Sequence, residues 1–225
     1  GEDGQLQREL NVLGLAFVGS DTLACENSFD KGKTKSLMNR HGIKQAPYLE
    51  FTNENPHFQN LKNQLSLPFF VKPANMGSSV GISKVTDEES MMKALAEARI
   101  HDRKVVVEKY IQGREVECAL LEKGDIIHAS CVGEVKPNHD FYSYEAKYLD
   151  PNGADLVIPA KMSPEISDEI KELAKKTFSL LGCRDYARAD FFLTEDNEIY
   201  FNEINTHPGF TPISQYPLLW QEDGM

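Results

Sequence analysis

The sequence predicts an α+β fold in two small lobes, and three observations carry that prediction. Helical apolar stripes alternate with short β-branched runs, a turning segment near Tyr110 to Gly113 separates two such sets, and no internal repeat or low-complexity stretch competes with a globular reading. The 225 residues, 40% of them hydrophobic, can bury a substantial core in one large domain or two small ones.

Taken in order, Asp30 to Arg40 reads as a helix closed by Gly42, Pro47 to Thr52 as a strand, and Leu67 to Lys72 as another. Asp87 to His101 carries Met91, Leu95, Ala98 and Ile100 on a roughly helical stripe, then yields to the β-branched run Val105 to Val107. Between Glu134 and Tyr148 the chain is polar and aromatic without an apolar period, which predicts a mobile loop. Ser163-Pro164-Glu165 supplies an N-cap and a first-turn proline, Ile166, Ile170, Leu173, Phe178 and Leu181 a buried stripe, and Gly182 the stop. These apolar positions belong to the core. Thr206 to Pro217 is too rich in Pro, Gly and hydroxyls to extend a strand and reads as an irregular loop.

The formal net charge of −11 excludes a protein whose affinity rests on neutralising nucleic-acid phosphates, although a few local cations can still hold one nucleotide. Cys25, Cys118, Cys131 and Cys183 lack the paired spacing of a zinc site and read as buried reduced thiols, which suits a reducing cytosol. The longest apolar stretches are strand-sized, too short to span a bilayer. The start at Gly1 without Met and the end just past a helix start read as part of a longer protein.

Chemistry concentrates in Arg188-Ala189-Asp190 and Asn202-Glu203-Ile204-Asn205. Side chains alternate along a strand, so Arg188 shares a face with Asp190, as Glu203 does with Asn205; a four-residue loop at Glu195 to Glu198 sets Asp190 opposite Glu203. Such hard oxygen ligands suit magnesium, and side by side they can hold two ions that bridge the terminal phosphates of ATP. For the hairpin alone, ordinary charges on a solvent-facing strand pair are the simpler reading.

Extended into the loop, the run Asn202-Glu-Ile-Asn-Thr-His-Pro-Gly-Phe210 resembles the carboxy-terminal signature of the D-alanine-D-alanine ligases, members of the ATP-grasp superfamily. Further resemblance lies in Gly1-Glu-Asp-Gly4, Phe70-Val-Lys-Pro73, Gly77-Ser-Ser-Val-Gly-Ile-Ser-Lys-Val85 and Tyr144-Glu-Ala-Lys-Tyr148, in the family's order and covering essentially the whole chain. The resemblance implies an ATP-grasp fold: a central lobe at residues 21–110 and a carboxy-terminal lobe at 111–225 enclosing the nucleotide, with residues 1–20 the remnant of an α/β amino-terminal domain. It further implies cytoplasmic, ATP-dependent ligation of two D-alanines through an acyl phosphate, for peptidoglycan synthesis. ATP and two magnesium (or manganese) ions are the implied cofactors and D-alanine the small-molecule partner, with no nucleic acid or membrane and a homodimer left open.

Residue by residue, the resemblance places Lys31 and Lys72 on the ATP phosphates together with Ser79 of the glycine-rich segment, and Ser78 in a hydrogen-bonded group with Tyr148 that positions the first substrate. A glutamate of the amino-terminal domain completes that group in the family and is not in this sequence. Backbone N–H groups from Gly77 to Gly81 can approach a phosphate closely; a ligand-free β-turn is the alternative. Lys72 at a strand end before Pro73 favours phosphate contact over a solvated lysine.

Glu108, Lys109, Tyr110 and Ile111 form the implied adenine strip, and Glu115 matches the ribose carboxylate. Lys147 is assigned to the terminal phosphate, Arg188 and the Gly209 N–H to the oxyanion pocket, and Asp190, Glu203 and Asn205 to the metals. Ser214 is expected to hold the second substrate's carboxylate with Gln215 bordering its side chain. His139 and His207 lack partners at metal-ligand spacing and read as structural or incidental, Tyr142 and Tyr144 as packing anchors. Ligases forming D-alanyl-D-lactate or D-alanyl-D-serine, another ATP-grasp carboxylate–amine ligase, and a non-catalytic nucleotide-binding module are the alternatives; the Glu145-Ala-Lys-Tyr148 run favours D-alanine.

Overall fold

A computed structural model of the chain describes residues 1–137 and 154–225. β1 (Tyr48–Thr52), β2 (Phe69–Pro73), β3 (Ser83–Val85) and β4 (Lys104–Lys109) form an antiparallel sheet in the order β1-β4-β2-β3. Period-two alternation gives this sheet two different faces. Phe69, Val71, Val105 and Val107 point into a core with α4 (Phe58–Leu65) and α5 (Glu88–His101), while Phe70, Lys72, Val106 and Glu108 share the other face.

In α5, Asp87 and Ser90 form a reciprocal capping box, and Met91, Leu95 and Ala98 are buried. Ile100 does not join them: it is 74% exposed. Nine positions beyond Met91 is roughly two and a half turns, which carries Ile100 to the opposite side of the helix.

The second antiparallel sheet has the order β7-β6-β5-β8-β9, from β5 (Arg114–Lys123), β6 (Ile126–Pro137), β7 (Ala154–Val157), β8 (Tyr186–Leu193) and β9 (Ile199–Asn205). β6 runs on to Pro137, with Val135 opposite Leu156 of β7, so the first residues of the expected loop after Glu134 are strand. Pairing with β7, which carried no strong strand signal, overrides their polar character. Residues 138–148 of that loop lie outside the described residues.

One face of this sheet buries Val116, Cys118, Leu120, Ala189, Phe191, Phe201 and Ile204 under α6 (Pro164–Leu181). Ser163 caps α6, Pro164 occupies its first turn, and Gly182 ends it at φ 71. Ile170, Phe178 and Leu181 are its buried stripe, with Ile166 and Leu173 packed at the margin.

Helices α1 (Gln5–Val12), α2 (Thr22–Phe29) and α3 (Lys31–Arg40) precede β1. Asp30 ends α2 and caps α3 through Lys33 N–H. Met38 of α3, together with Ile43, is buried in the core of the second sheet. α7 (Gln215–Glu222) takes in the last three residues of the expected irregular loop, because a proline in the first turn needs no intrahelical N–H partner.

All four cysteines are free thiols, three of them buried. Among the described residues no helix is long and apolar enough to cross a membrane.

Candidate functional site

The hairpin of β8 and β9 places Asp190 opposite Glu203 and Arg188 opposite Asn205. That register is reached by a different route from the four-residue loop. Leu193 pairs with Ile199 across a five-residue connection in which Asn197 takes a left-handed φ of 61, and a bulge at Asn202 then advances β9 by one residue. Without the bulge, Asn202 would stand opposite Asp190 and Glu203 would face the core.

Arg188 is clamped. Its Nε and Nη2 donate to the two Asp190 carboxylate oxygens at 2.7 Å each, and its Nε lies 2.9 Å from Glu117 Oε2 on β5. Burial opposes the guanidinium charge, but Asp190 and then Glu117 outweigh it and hold the pKa well above its ordinary value. Arg188 therefore takes part in a structural ion pair with Asp190 and Glu117 as well as facing the site. Asp190, Glu203 and Asn205 supply only hard oxygen donors from one sheet face, the chemistry that magnesium prefers. Among the described residues no group of three or more His, Cys, Asp or Glu side chains could hold a metal ion, so the fit rests on two carboxylates and an amide.

Facing this hairpin across a cleft of ≈ 490 Å³ is the polar face of the first sheet. Lys31, Lys72, Ser78, Ser79, Glu108, Lys109, Tyr110, Ile111, Glu115 and Glu203 all line it. Phe70, Ile82, Val135 and Phe192 give apolar walls to one region, fit to cover a flat ring.

Glu108 is not a solvated strand end: it is 3% exposed, with Lys72 Nζ at 2.7 Å and Lys35 Nζ at 3.3 Å. Burial pushes its carboxyl up, yet the Lys35 and Lys72 ammoniums more than reverse this and hold it at about 2. Lys31 is half-buried; its Nζ donates to the Met76 carbonyl at 2.5 Å, and burial lowers its pKa against the pull of Glu203. The Lys109 and Tyr110 N–H groups donate to the Pro47 and Pro68 carbonyls, which moves the candidate adenine contact toward Ile111.

Ser78 and Ser79 both adopt positive φ, 56 and 60, in the turn closing at Gly81. Two consecutive non-glycine residues there are uncommon and concentrate at ligand sites. A Cβ at Gly77 would come 2.8 Å from Glu2 Oε2, so a side chain there would have to displace that carboxylate.

Beyond β9, the Asn205 side chain accepts from His207 N–H at 2.8 Å, and His207 bonds Gln7 and Thr206, a structural role. Gly209 approaches Ser214 so closely that a Cβ would lie 2.6 Å from its hydroxyl. Ser214 Oγ accepts from Thr211 N–H at 3.1 Å, and Gln215 turns its amide nitrogen onto Glu117. Lys147 and Tyr148, with His139, Tyr142 and Tyr144, lie outside the described residues.

Three participants were missed in the sequence. Glu2 reaches the site, hydrogen-bonded to Asn205; burial and then the Glu203 charge raise its pKa, while Lys31 and Arg188 counter them. Its motif had served only as a family marker. Lys35 follows Lys31 by one helical turn, and Glu117 follows Glu115 by one strand period, so both spacings were available signals.

The family model described as D-ala D-ala ligase C-terminus matches residues 37–225. D-alanine–D-alanine ligase A of Escherichia coli (strain K12) is 50% identical over all of this chain, and D-alanine–D-alanine ligase of Oceanobacillus iheyensis 49%. The chain spans 62% of the length of each. Among solved structures, the VanG D-Ala:D-Ser ligase of Enterococcus faecalis superposes with a TM-score of 0.91 at 36% identity, covering all of this chain and 66% of that one. The D-alanine-D-alanine ligase of Coxiella burnetii gives 0.87 at 32% identity, covering all of this chain and 60% of that one.

Proposed function

The chain belongs to the D-alanine–D-alanine ligase family, and we propose that it supplies the nucleotide cleft and acceptor loop of an enzyme joining two D-alanines at the expense of ATP. The observation that carries this reading is the pairing of Asp190 with Glu203 beside Arg188, on a sheet face that borders the same cleft as Lys31 and Lys72.

In this reading Lys31 and Lys72 hold the phosphates, the Ser78–Ser79 turn covers them, Ile111 borders adenine and Glu115 takes the ribose hydroxyls. Asp190, Glu203 and Asn205 hold magnesium, which supplies charge compensation for the phosphates when bound. The first D-alanine's carboxylate attacks the terminal phosphate to give an acyl phosphate and ADP. The second D-alanine's amine then attacks that carbonyl, and the oxyanion is met by Arg188 and the Gly209 N–H before phosphate leaves. Ser214 receives the acceptor carboxylate, and Lys147 and Tyr148 keep the roles that the family resemblance assigns them, at the terminal phosphate and the first substrate. The division at residues 20 and 110 belongs to the same proposal, resting on the passage from one sheet to the other between Lys109 and Arg114.

The likeness to a D-Ala:D-Ser ligase supports a second reading in which D-serine is the acceptor. Dipeptide formation by the complete protein, with ATP and either D-alanine alone or D-alanine plus D-serine, separates the two. ATP hydrolysis without any ligated product sinks both.

A further inference from the structure

Glu117 stands on β5 directly opposite Asp190, so the two carboxylates approach Arg188 from neighbouring strands. Asp190 is a proposed metal ligand; Glu117 is not. A guanidinium held only by a carboxylate that must also serve a cation would have a divided anchor, whereas one held by Glu117 as well keeps its place on the sheet. The amide of Gln215, the first residue of α7, lies against Glu117, and its nitrogen donates to that carboxylate in the orientation that satisfies both groups. Gly133, opposite Glu117 on β6, lets α7 settle this close, because a Cβ there would lie 2.8 Å from Leu219 Cδ2.

Building on the ligase reading, we infer that Glu117 is a positioning residue for Arg188, and that through Gln215 it fixes the guanidinium relative to the acceptor loop. An acceptor seated between Ser214 and Gln215 then meets an oxyanion donor whose position is set by the same carboxylate. The two ends of the second half-reaction, acceptor carboxylate and developing oxyanion, are aligned by one short hydrogen-bonded path.

The test is a set of variants of the complete protein. Glu117→Gln keeps shape and removes charge; it should lower kcat for dipeptide synthesis about tenfold or more while the Michaelis constant for ATP stays within about twofold. In an Arg188→Lys background the same substitution should cause little further loss, because its effect runs through that guanidinium. Glu117→Asp, which retains the charge, should keep more of kcat than the Gln variant. Gln215→Leu should lower kcat less than Glu117→Gln and add nothing to it. Urea unfolding and calorimetric nucleotide binding of each variant provide readouts independent of turnover, and a merely structural Glu117 would move the unfolding midpoint and all kinetic constants together. Unchanged kcat in Glu117→Gln, or losses that multiply fully with Arg188→Lys, overturns the inference. A wild type that makes no dipeptide overturns the ligase reading instead.

Discussion

Replacing Glu108 with Gln removes one charge from a buried triad while keeping its volume, and the structure fixes the expected cost. The carboxylate lies 2.7 Å from Lys72 Nζ and 3.3 Å from Lys35 Nζ, and Lys35 is 2% exposed. Native Glu108 is held at about 2 against an ordinary 4.5, and that depression corresponds to roughly 3 kcal/mol of native-state stabilisation. Breaking a buried pair by removing one partner independently costs about 3–5 kcal/mol. Part of that cost is relieved as Lys35, whose burial already lowers its pKa, gives up its proton, so about 3 kcal/mol is expected.

Equilibrium urea unfolding at neutral pH measures it. Since the folded pKa is depressed, this stabilisation is present above about pH 4.5 and is lost as the pH falls toward 2, a component the Gln variant should lack. A Glu108→Gln/Lys35→Met double variant should recover much of the loss, because an apolar side chain replaces an uncompensated ammonium. A single-variant loss below about 1 kcal/mol, or a double variant no more stable than the single, refutes the electrostatic account.

Asp190→Ala or Glu203→Ala should abolish magnesium-dependent ATP turnover in the complete protein without unfolding it; wild-type turnover in the double variant removes this site from consideration. Ser214→Ala should raise the Michaelis constant of the second D-alanine roughly tenfold through loss of a charge-assisted hydrogen bond, with that of ATP little changed. Because Ser214 also accepts from Thr211 N–H, equal losses for both substrates would instead mark it as a loop-shaping residue. Gly133→Ala should destabilise the protein by about 1–3 kcal/mol as Leu219 of α7 is displaced, and an unchanged unfolding midpoint counts against that close contact.

The elements most legible in the sequence were those whose local signals agree. α5 had an apolar stripe that gave way to a β-branched run, and α6 a capping serine, a stripe and a glycine stop, whereas α1, α2 and α4 were passed over. β7 had too little patterning to announce itself, which is also why β6 appeared to end early. Alternation alone put Arg188 with Asp190 and Glu203 with Asn205, because strand period is a local property. Their mutual register was also anticipated, but through a loop one residue too short; a bulge at Asn202 leaves no mark in the pattern and supplied the difference. Lys35 and Glu117 were harder to read. Their roles arise from side chains on other elements, and a lysine in a helix or a glutamate on a strand carries no local sign of burial.

Those buried charges bear on how a chain of net charge −11 could accommodate a triphosphate. Several of the cations in and beside the cleft already have carboxylate company: Lys72 and Lys35 share Glu108, Arg188 lies between Asp190 and Glu117, and Lys31 feels Glu203. A polyphosphate entering this cleft meets lysines whose field is largely compensated, with the Asp190 and Glu203 carboxylates close by. Attraction to the lysines alone would be offset by repulsion from those acids. Divalent cations reverse the balance because the same two acids then bind the cations that accompany the phosphates. On the proposed assignment of Asp190 and Glu203 as metal ligands, these carboxylates would make nucleotide affinity conditional on the metal. The proposed cleft would then discriminate between free ATP and its magnesium complex through residues that, without the metal, oppose binding.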